Sequence, residues 1–130
     1  MSVSDRPSYR YLRIALVFFG VLMLLVYPIA VVWPSGWIWH HGAPHESQYF
    51  MMIVGVYATL GVFLINAARD PAANVSLIWF TVWSSVVHGA IMAVQAVVHP
   101  GNLGHLLGDV PALFLVAAVL TWLTPRRRSA

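Results

Sequence analysis

The side chains best suited to chemistry lie in the second half of the chain. His88, Gln95 and His99 recur at helical intervals, and a rotation of 100° per residue places them within about 40° on one helix face. His105 and Asp109 are four residues apart, so they share a face of the next helical stretch. Imidazole, carboxamide and carboxylate groups can bind polar ligands, transfer protons or coordinate metals.

A second group of metal-ligating residue types comprises His40, His41, His45 and Glu46. Imidazole and carboxylate ligands suit zinc, copper or iron, and a catalytic zinc commonly takes three protein ligands and one open position. We therefore consider a divalent transition metal held by this group together with His99, His105 and Asp109. The spacing matches no specific metal motif, and the alternative is a solvated loop segment.

Acid–base chemistry is a further hypothesis for the same residues. His88 or His105 could exchange a proton with a substrate while Asp109 tunes the imidazole, as a lipid isomerase would require. The structural alternative is that these side chains hydrogen-bond between helices and fix their register, at about 0.6–2 kcal/mol each. No complete catalytic constellation is present in the sequence, so we favour a non-catalytic role.

The composition defines the surroundings of these side chains. The chain has 130 residues, of which 60% are hydrophobic and 8% charged, whereas about 25% charged residues is usual in a soluble domain. Lipid must therefore solvate much of the surface. The net charge of +3 comes from arginines that flank apolar stretches, which favours lipid head groups over nucleic acid as the partner.

Four long apolar stretches can cross a membrane. A bilayer core of about 30 Å needs about 20 helical residues, and helices are the spanning structures that satisfy their own backbone groups. We predict an all-α protein, a four-transmembrane-helix antiparallel bundle that forms a single membrane domain over residues 1–130. Pro28 and Pro111 should bend their helices. The predicted helices cover about 10–33, 46–68, 71–99 and 103–124.

The arginines predict the orientation of the bundle. They lie near both termini and at Arg69, and none lies in the connections 34–45 and 100–102. Because positive residues stay on the cytoplasmic side, both termini are predicted to be cytoplasmic. Trp33, Trp37 and Trp39 would then lie at the outer interface.

Depth in the membrane predicts a shared pocket. At about 1.5 Å per residue, Gln95 and Asp109 lie about 6–9 Å below the outer surface and His88 lies near mid-membrane. Ionisable side chains at such depths usually face the bundle interior or a wet cavity. We predict an outward-opening polar pocket lined by His88, Gln95, His99, His105 and Asp109, with Tyr27 and Tyr57 as additions.

Four stretches of the sequence also carry a resemblance. Residues 52–63 read MIVGVYATLGVF, 67–71 read AARDP, 83–90 read WSSVVHGA and 104–113 read GHLLGDVPAL. Over about residues 50–115 the chain resembles a family of small bacterial four-helix integral membrane proteins of unknown function. The resemblance implies no activity, but it directs attention to His88 and to the His105–Asp109 pair.

These observations favour a multi-pass protein of the bacterial inner membrane. The leading hypothesis is an accessory or binding component of a larger membrane complex or homo-oligomer. The alternatives are a metal-binding protein or metal-dependent membrane enzyme, and a lipid isomerase.

Overall fold

Helices make up nearly all of the chain in a computed structural model, which describes residues 9–39 and 41–126. This part of the chain contains no strand, as the all-α prediction requires. Short 3₁₀ turns at Pro44–Glu46, Pro71–Asn74 and Pro100–Leu106 connect the longer elements. The α-helices of the described residues are α1 Arg10–Leu24, α2 Val26–Val32, α3 Pro34–Trp37, α4 Gln48–Ala67, α5 Val75–Val98 and α6 Asp109–Leu123.

Three helical segments of the described residues are long and apolar enough to cross a membrane. They are Gln48–Ala67, Pro71–Val98 and Pro100–Leu123. The pair α1 and α2 provides a fourth span if the two helices, which are bent by 59°, are one crossing. The length and composition of the helices therefore agree with three or four membrane spans.

Two prolines explain why the first and last spans are broken. The ring of Pro28 removes an N–H and clashes with the carbonyl four residues earlier, at Leu24, where α1 ends. Pro111 likewise lies in the first turn of α6, and the residues before it form a 3₁₀ segment. The predicted helices 10–33 and 103–124 thus each consist of two segments, whereas α4 and α5 follow their predicted bounds closely.

Side-chain caps fix the starts of the two central spans. The Ser47 hydroxyl accepts a hydrogen bond from the Phe50 N–H at 3.1 Å, and the Asp70 carboxylate accepts one from the Ala73 N–H at 3.3 Å. Pro71 follows Asp70 at a position where a helix needs no N–H donor. The turn between α4 and α5 is therefore set by local sequence.

The helices pack as two close pairs, α1 with α4 and α5 with α6. Gly20 and Gly61 let α1 and α4 approach closely, because a Cβ added to Gly61 would lie 2.5 Å from the Gly20 carbonyl oxygen. α1 also packs on α6, whereas α4 and α5 touch only slightly. The bundle is therefore most open between α4 and α5.

The apolar core is divided along the length of the bundle. We call the end formed by residues 9–13, 67–74 and 123–126 the terminal end, and the end formed by residues 33–39, 41–47 and 99–108 the loop end. The larger cluster lies toward the terminal end and includes the fully buried Leu12, Leu64 and Leu120. A smaller cluster around Ala30 and Phe50 lies toward the loop end. The site described next lies between these clusters.

Candidate functional site

A hydrogen bond between Tyr57 and His88 joins the two loosely packed helices. The Tyr57 hydroxyl lies 2.5 Å from Nδ1 of His88, and the two rings stack with centroids 5.9 Å apart. Tyr57 is near the middle of α4 and His88 near the middle of α5. When the hydroxyl donates to Nδ1, the proton of a neutral His88 lies on Nε2 and remains available as a donor.

His105 and Asp109 form a second polar pair, which is buried. Nδ1 of His105 lies 3.1 Å from each carboxyl oxygen of Asp109, and its Nε2 lies 2.9 Å from the Ile38 carbonyl oxygen. A carbonyl only accepts, so Nε2 carries a proton. The contact at Nδ1 then requires one further proton, on either the imidazole or the carboxyl group. In both forms the pair is neutral overall, which suits its burial.

Trp39 completes this cluster from the loop after α3. Its Nε1–H donates to Oδ2 of Asp109 at 2.8 Å, and its ring stacks on His105 with centroids 3.8 Å apart. Asp109 also occupies the first turn of α6, where the helix dipole favours a carboxylate. The cluster therefore ties the segment 37–39 to the start of the last helix.

A cavity of about 90 Å³ lies between these two polar clusters. Most of its lining is apolar and comes from α1, α2, α4, α5 and α6, while Tyr57, His88 and Asp109 supply polar groups. Trp37 and Trp39 border it from the loop end. Nε1 of Trp37 is buried and has no hydrogen-bond partner among the described residues. An apolar cavity with a few convergent polar groups is the usual form of a small-molecule site.

The structure brings together only some of the residues predicted to line the pocket. Tyr57, His88 and Asp109 border the cavity, and His105 lies directly behind Asp109. Gln95 and His99 are exposed near the end of α5, and Tyr27 packs in the smaller apolar cluster instead. Gln95 shares the helix face of His88, but α4 and α5 make little contact. Gln95 therefore does not pack against α4 as His88 does.

The residues considered as metal ligands do not converge. His40 lies outside the described residues, whereas His41, His45, Glu46 and His99 are all exposed. The Glu46 carboxylate accepts a hydrogen bond from the Ala43 N–H at 2.8 Å, which closes the loop locally. Within residues 9–39 and 41–126, no three His, Cys, Asp or Glu side chains are grouped to hold a metal ion. Metal binding stays a prediction.

The sequence did not reveal the roles of Trp37 and Trp39. Their pattern indicates an interfacial aromatic belt, a position in which the indole N–H usually meets water or head groups. No local signal shows that residues 37–39 fold back onto α6, because the contact of Trp39 with Asp109 spans 70 residues. A polar-tipped aromatic beside a buried acid is recognisable only once the helices are placed.

The polar groups at the cavity can offer several hydrogen bonds to a guest. Trp37 borders the cavity and has a buried N–H without a partner among the described residues, and His88 has a ring nitrogen whose role depends on its tautomer. The apolar walls exclude water from most of the remaining surface. The arrangement is therefore suited to a guest that is mainly apolar and has one polar end.

Comparison with known proteins places the chain in a family but not beside a characterised relative. No curated protein and no solved structure matches the chain significantly. A family of unknown function, DUF6632, matches residues 6–128, which is nearly the whole length. The chain therefore belongs to this family of unknown function.

Proposed function

We propose that this protein is a membrane binding protein that holds the polar end of a small lipid-soluble molecule in the cavity between its helices. The observation that carries the proposal is a mainly apolar cavity, within the spanning region, that is bordered by Tyr57, His88 and Trp37, whose buried N–H has no partner among the described residues. Binding is proposed without chemical change to the guest. As part of the same proposal, the protein lies in the bacterial inner membrane with both termini in the cytoplasm.

The size of the cavity limits what it can hold. Its volume of about 90 Å³ is below the 150 Å³ of an engineered protein cavity that accommodates benzene. Only the head of a larger guest fits inside. The cavity is not fully enclosed, and Ile53 borders it on the α4 side. The sparse contact between α4 and α5 supports an exit there, through which an apolar tail would extend into the bilayer.

The surrounding groups define the chemistry of that head. The Trp37 indole can only donate, so it selects a hydrogen-bond acceptor such as a carbonyl or ether oxygen. A charged head is disfavoured, because burying an unpaired charge in apolar surroundings is costly. An anion would in addition meet the acidic Asp109 at the cavity wall. We therefore expect a neutral oxygen-bearing head, as in a lipid-soluble ketone.

A role without turnover is supported by the way the proton-bearing side chains are paired. Tyr57 is bonded to His88, and His105 is bonded on both ring nitrogens, to Asp109 and to the Ile38 carbonyl. These bonds orient the polar groups, and the Trp37 N–H has no partner among the residues that the structure describes. Conversion of a bound ketone probe to a new product would argue for the isomerase hypothesis instead.

Photolabelling of the protein in lipid nanodiscs tests the binding site. The probe is a ten-carbon methyl ketone with a diazirine that methylene groups separate from the carbonyl, and its control is the same diazirine-bearing chain without the ketone. We expect the ketone probe to label Ile53 and Met92, which border the cavity. Trp37→Phe should reduce this labelling about two- to tenfold, because one hydrogen bond is lost, and should leave the hydrocarbon probe unaffected.

Two matched tryptophan substitutions distinguish the cavity from the general lipid surface. Met92→Trp places a larger side chain in the cavity lining and should abolish labelling of Ile53 by the ketone probe. Val94→Trp makes the same addition on α5 at a residue that is 63% exposed and does not border the cavity, so labelling should persist. Equal labelling in both variants, or labelling spread along all exposed helix faces, would rule out the proposed site.

The accessory role is a second part of the proposal. Many large apolar side chains are exposed on the helices, including Val56, Phe80 and Trp83, and the lipid bilayer or a partner subunit could cover them. We expect native mass spectrometry from a mild detergent to give a mass above that of one chain, from either a homo-oligomer or a larger complex. A monomer under conditions that preserve labelling of the cavity would remove the accessory role and keep the binding role.

A further inference from the structure

We propose that a groove between α1 and α4, at the terminal end of the bundle, binds an anionic phospholipid. The groove has a volume of about 770 Å³ and is distinct from the central cavity. Two arginines, Arg13 and Arg69, lie at the groove, and its remaining lining is apolar. The inference stands independently of the proposed function, because the two sites share no lining residue.

The groove arises from the way the two helices cross. At Gly20 and Gly61 the backbones are in near contact, so no side chain separates the helices there. From this crossing toward the terminal end, side chains of both helices form walls on either side of the seam. Val21 and Ile65 lie beside the crossing, and Arg13 and Arg69 lie at the opposite end of the groove. The groove is therefore apolar along most of its length, and Arg13 and Arg69 form its positively charged end, which we call the mouth.

The α1 wall follows helical periodicity. Arg13, Val17 and Val21 are spaced by four residues, so they form one row along the helix, and Phe18 lies beside them. At about 1.5 Å per residue, the row extends about 12 Å. Val17, Phe18 and Val21 are 42%, 56% and 42% exposed, so they present a continuous apolar surface of a length that suits much of an acyl chain.

The charges at the mouth select the head group. Guanidinium groups bind phosphate oxygens through paired, charge-assisted hydrogen bonds. Arg13 and Arg69 come from different helices but border the same groove, and no Asp or Glu borders it among the described residues. The mouth therefore favours a phosphate-bearing head with a net negative charge over a zwitterionic one.

The site fits a membrane lipid because its charged and apolar parts are ordered along the membrane normal. The arginines lie at one end of the spanning helices, at the level of the head groups, and the apolar row extends from them into the depth of the spans. Basic pockets between transmembrane helices bind anionic lipid head groups in this arrangement. A soluble anion would use the arginines alone and would leave the apolar row uncovered.

Competition between two lipids measured by native mass spectrometry tests the proposal. The purified protein is exchanged into detergent that contains equal amounts of phosphatidylglycerol and phosphatidylcholine with identical acyl chains. Each arginine near the membrane surface strengthens anionic binding about fivefold, so two predict about a 25-fold preference for phosphatidylglycerol. Arg13→Gln/Arg69→Gln should remove most of that preference.

Two further variants distinguish a lipid bound in the groove from nonspecific attraction of anionic lipids to the arginines. Arg10→Gln/Arg126→Gln removes the same charge from exposed arginines outside the groove, and it should keep the preference. Val17→Trp leaves all arginines in place but obstructs the apolar row, and it should reduce retention of both lipids. Equal loss of preference in the two double variants, or unchanged retention in Val17→Trp, would overturn the proposal.

Discussion

Asp109→Leu is expected to destabilise the fold by about 3–5 kcal/mol, the usual cost of removing one partner of a buried pair. His105 and Asp109 are 2% and 6% exposed, so water cannot readily replace the lost carboxylate. The substitution removes the acceptor of the Trp39 indole N–H and the partner of His105 Nδ1. Unfolding by titration with sodium dodecyl sulfate in mixed micelles, followed by circular dichroism, measures the change.

A double variant provides the control for this prediction. In His105→Leu/Asp109→Leu both members of the pair are apolar, so neither is left buried without its partner. We expect the double variant to regain only part of the stability that Asp109→Leu loses, because the Trp39 N–H and the Ile38 carbonyl both lose their partners in it. Asp109→Asn should have an intermediate effect, because its amide oxygen can still accept from Trp39. If the stability lost in the double variant equals the sum of the losses in His105→Leu and Asp109→Leu, the two side chains are not energetically coupled.

The same pair would connect the stability of the fold with the proposed binding of a guest. His105 holds the Ile38 carbonyl and Asp109 holds the Trp39 indole, so together they fix the segment 37–39 against α6. Trp37 belongs to that segment and borders the cavity. A variant that releases the segment should therefore lose the proposed guest binding even if the spanning helices remained folded.

Features with a local cause could be predicted from the sequence. The apolar runs predict the spanning helices, and Asp70 followed by Pro71 predicts the start of the third span. Pro28 predicts a bend because its effect on the helix depends only on the preceding turn. The resemblance over residues 50–115 is likewise confirmed, as a match to a family of unknown function that extends over residues 6–128.

Features that depend on how helices face one another could not be predicted in the same way. Periodicity groups Gln95 with His88 on one face of α5, but it does not tell where that face meets another helix. His88 meets Tyr57, whereas Gln95 is exposed because α4 is only slightly in contact with α5. The stack of Trp39 on His105 depends on the path of the loop, which no periodic pattern encodes.

Single-cysteine labelling is expected to give opposite results at the two ends of the bundle. The natural chain has no cysteine, so His45→Cys at the loop end and Ala73→Cys at the terminal end each introduce a unique thiol. Both positions are exposed. On intact cells, a maleimide that cannot cross the inner membrane should modify residue 45 fully and residue 73 only after the membrane is opened.

The physical reason is the distribution of positive charge between the two ends. Arg10, Arg13 and Arg69 lie at the terminal end, whereas the 34–47 and 99–108 connections contain no arginine or lysine. Positive residues near the ends of spans are retained on the cytoplasmic side, which leaves the histidine-containing connections outside. If residue 73 is modified rapidly on intact cells and residue 45 is protected, the orientation is the opposite of the one predicted. If both residues are modified on intact cells, the spanning arrangement is wrong. The expected pattern would place the arginine-flanked groove in the cytoplasmic leaflet, whose anionic lipids supply the head group that the groove is proposed to bind.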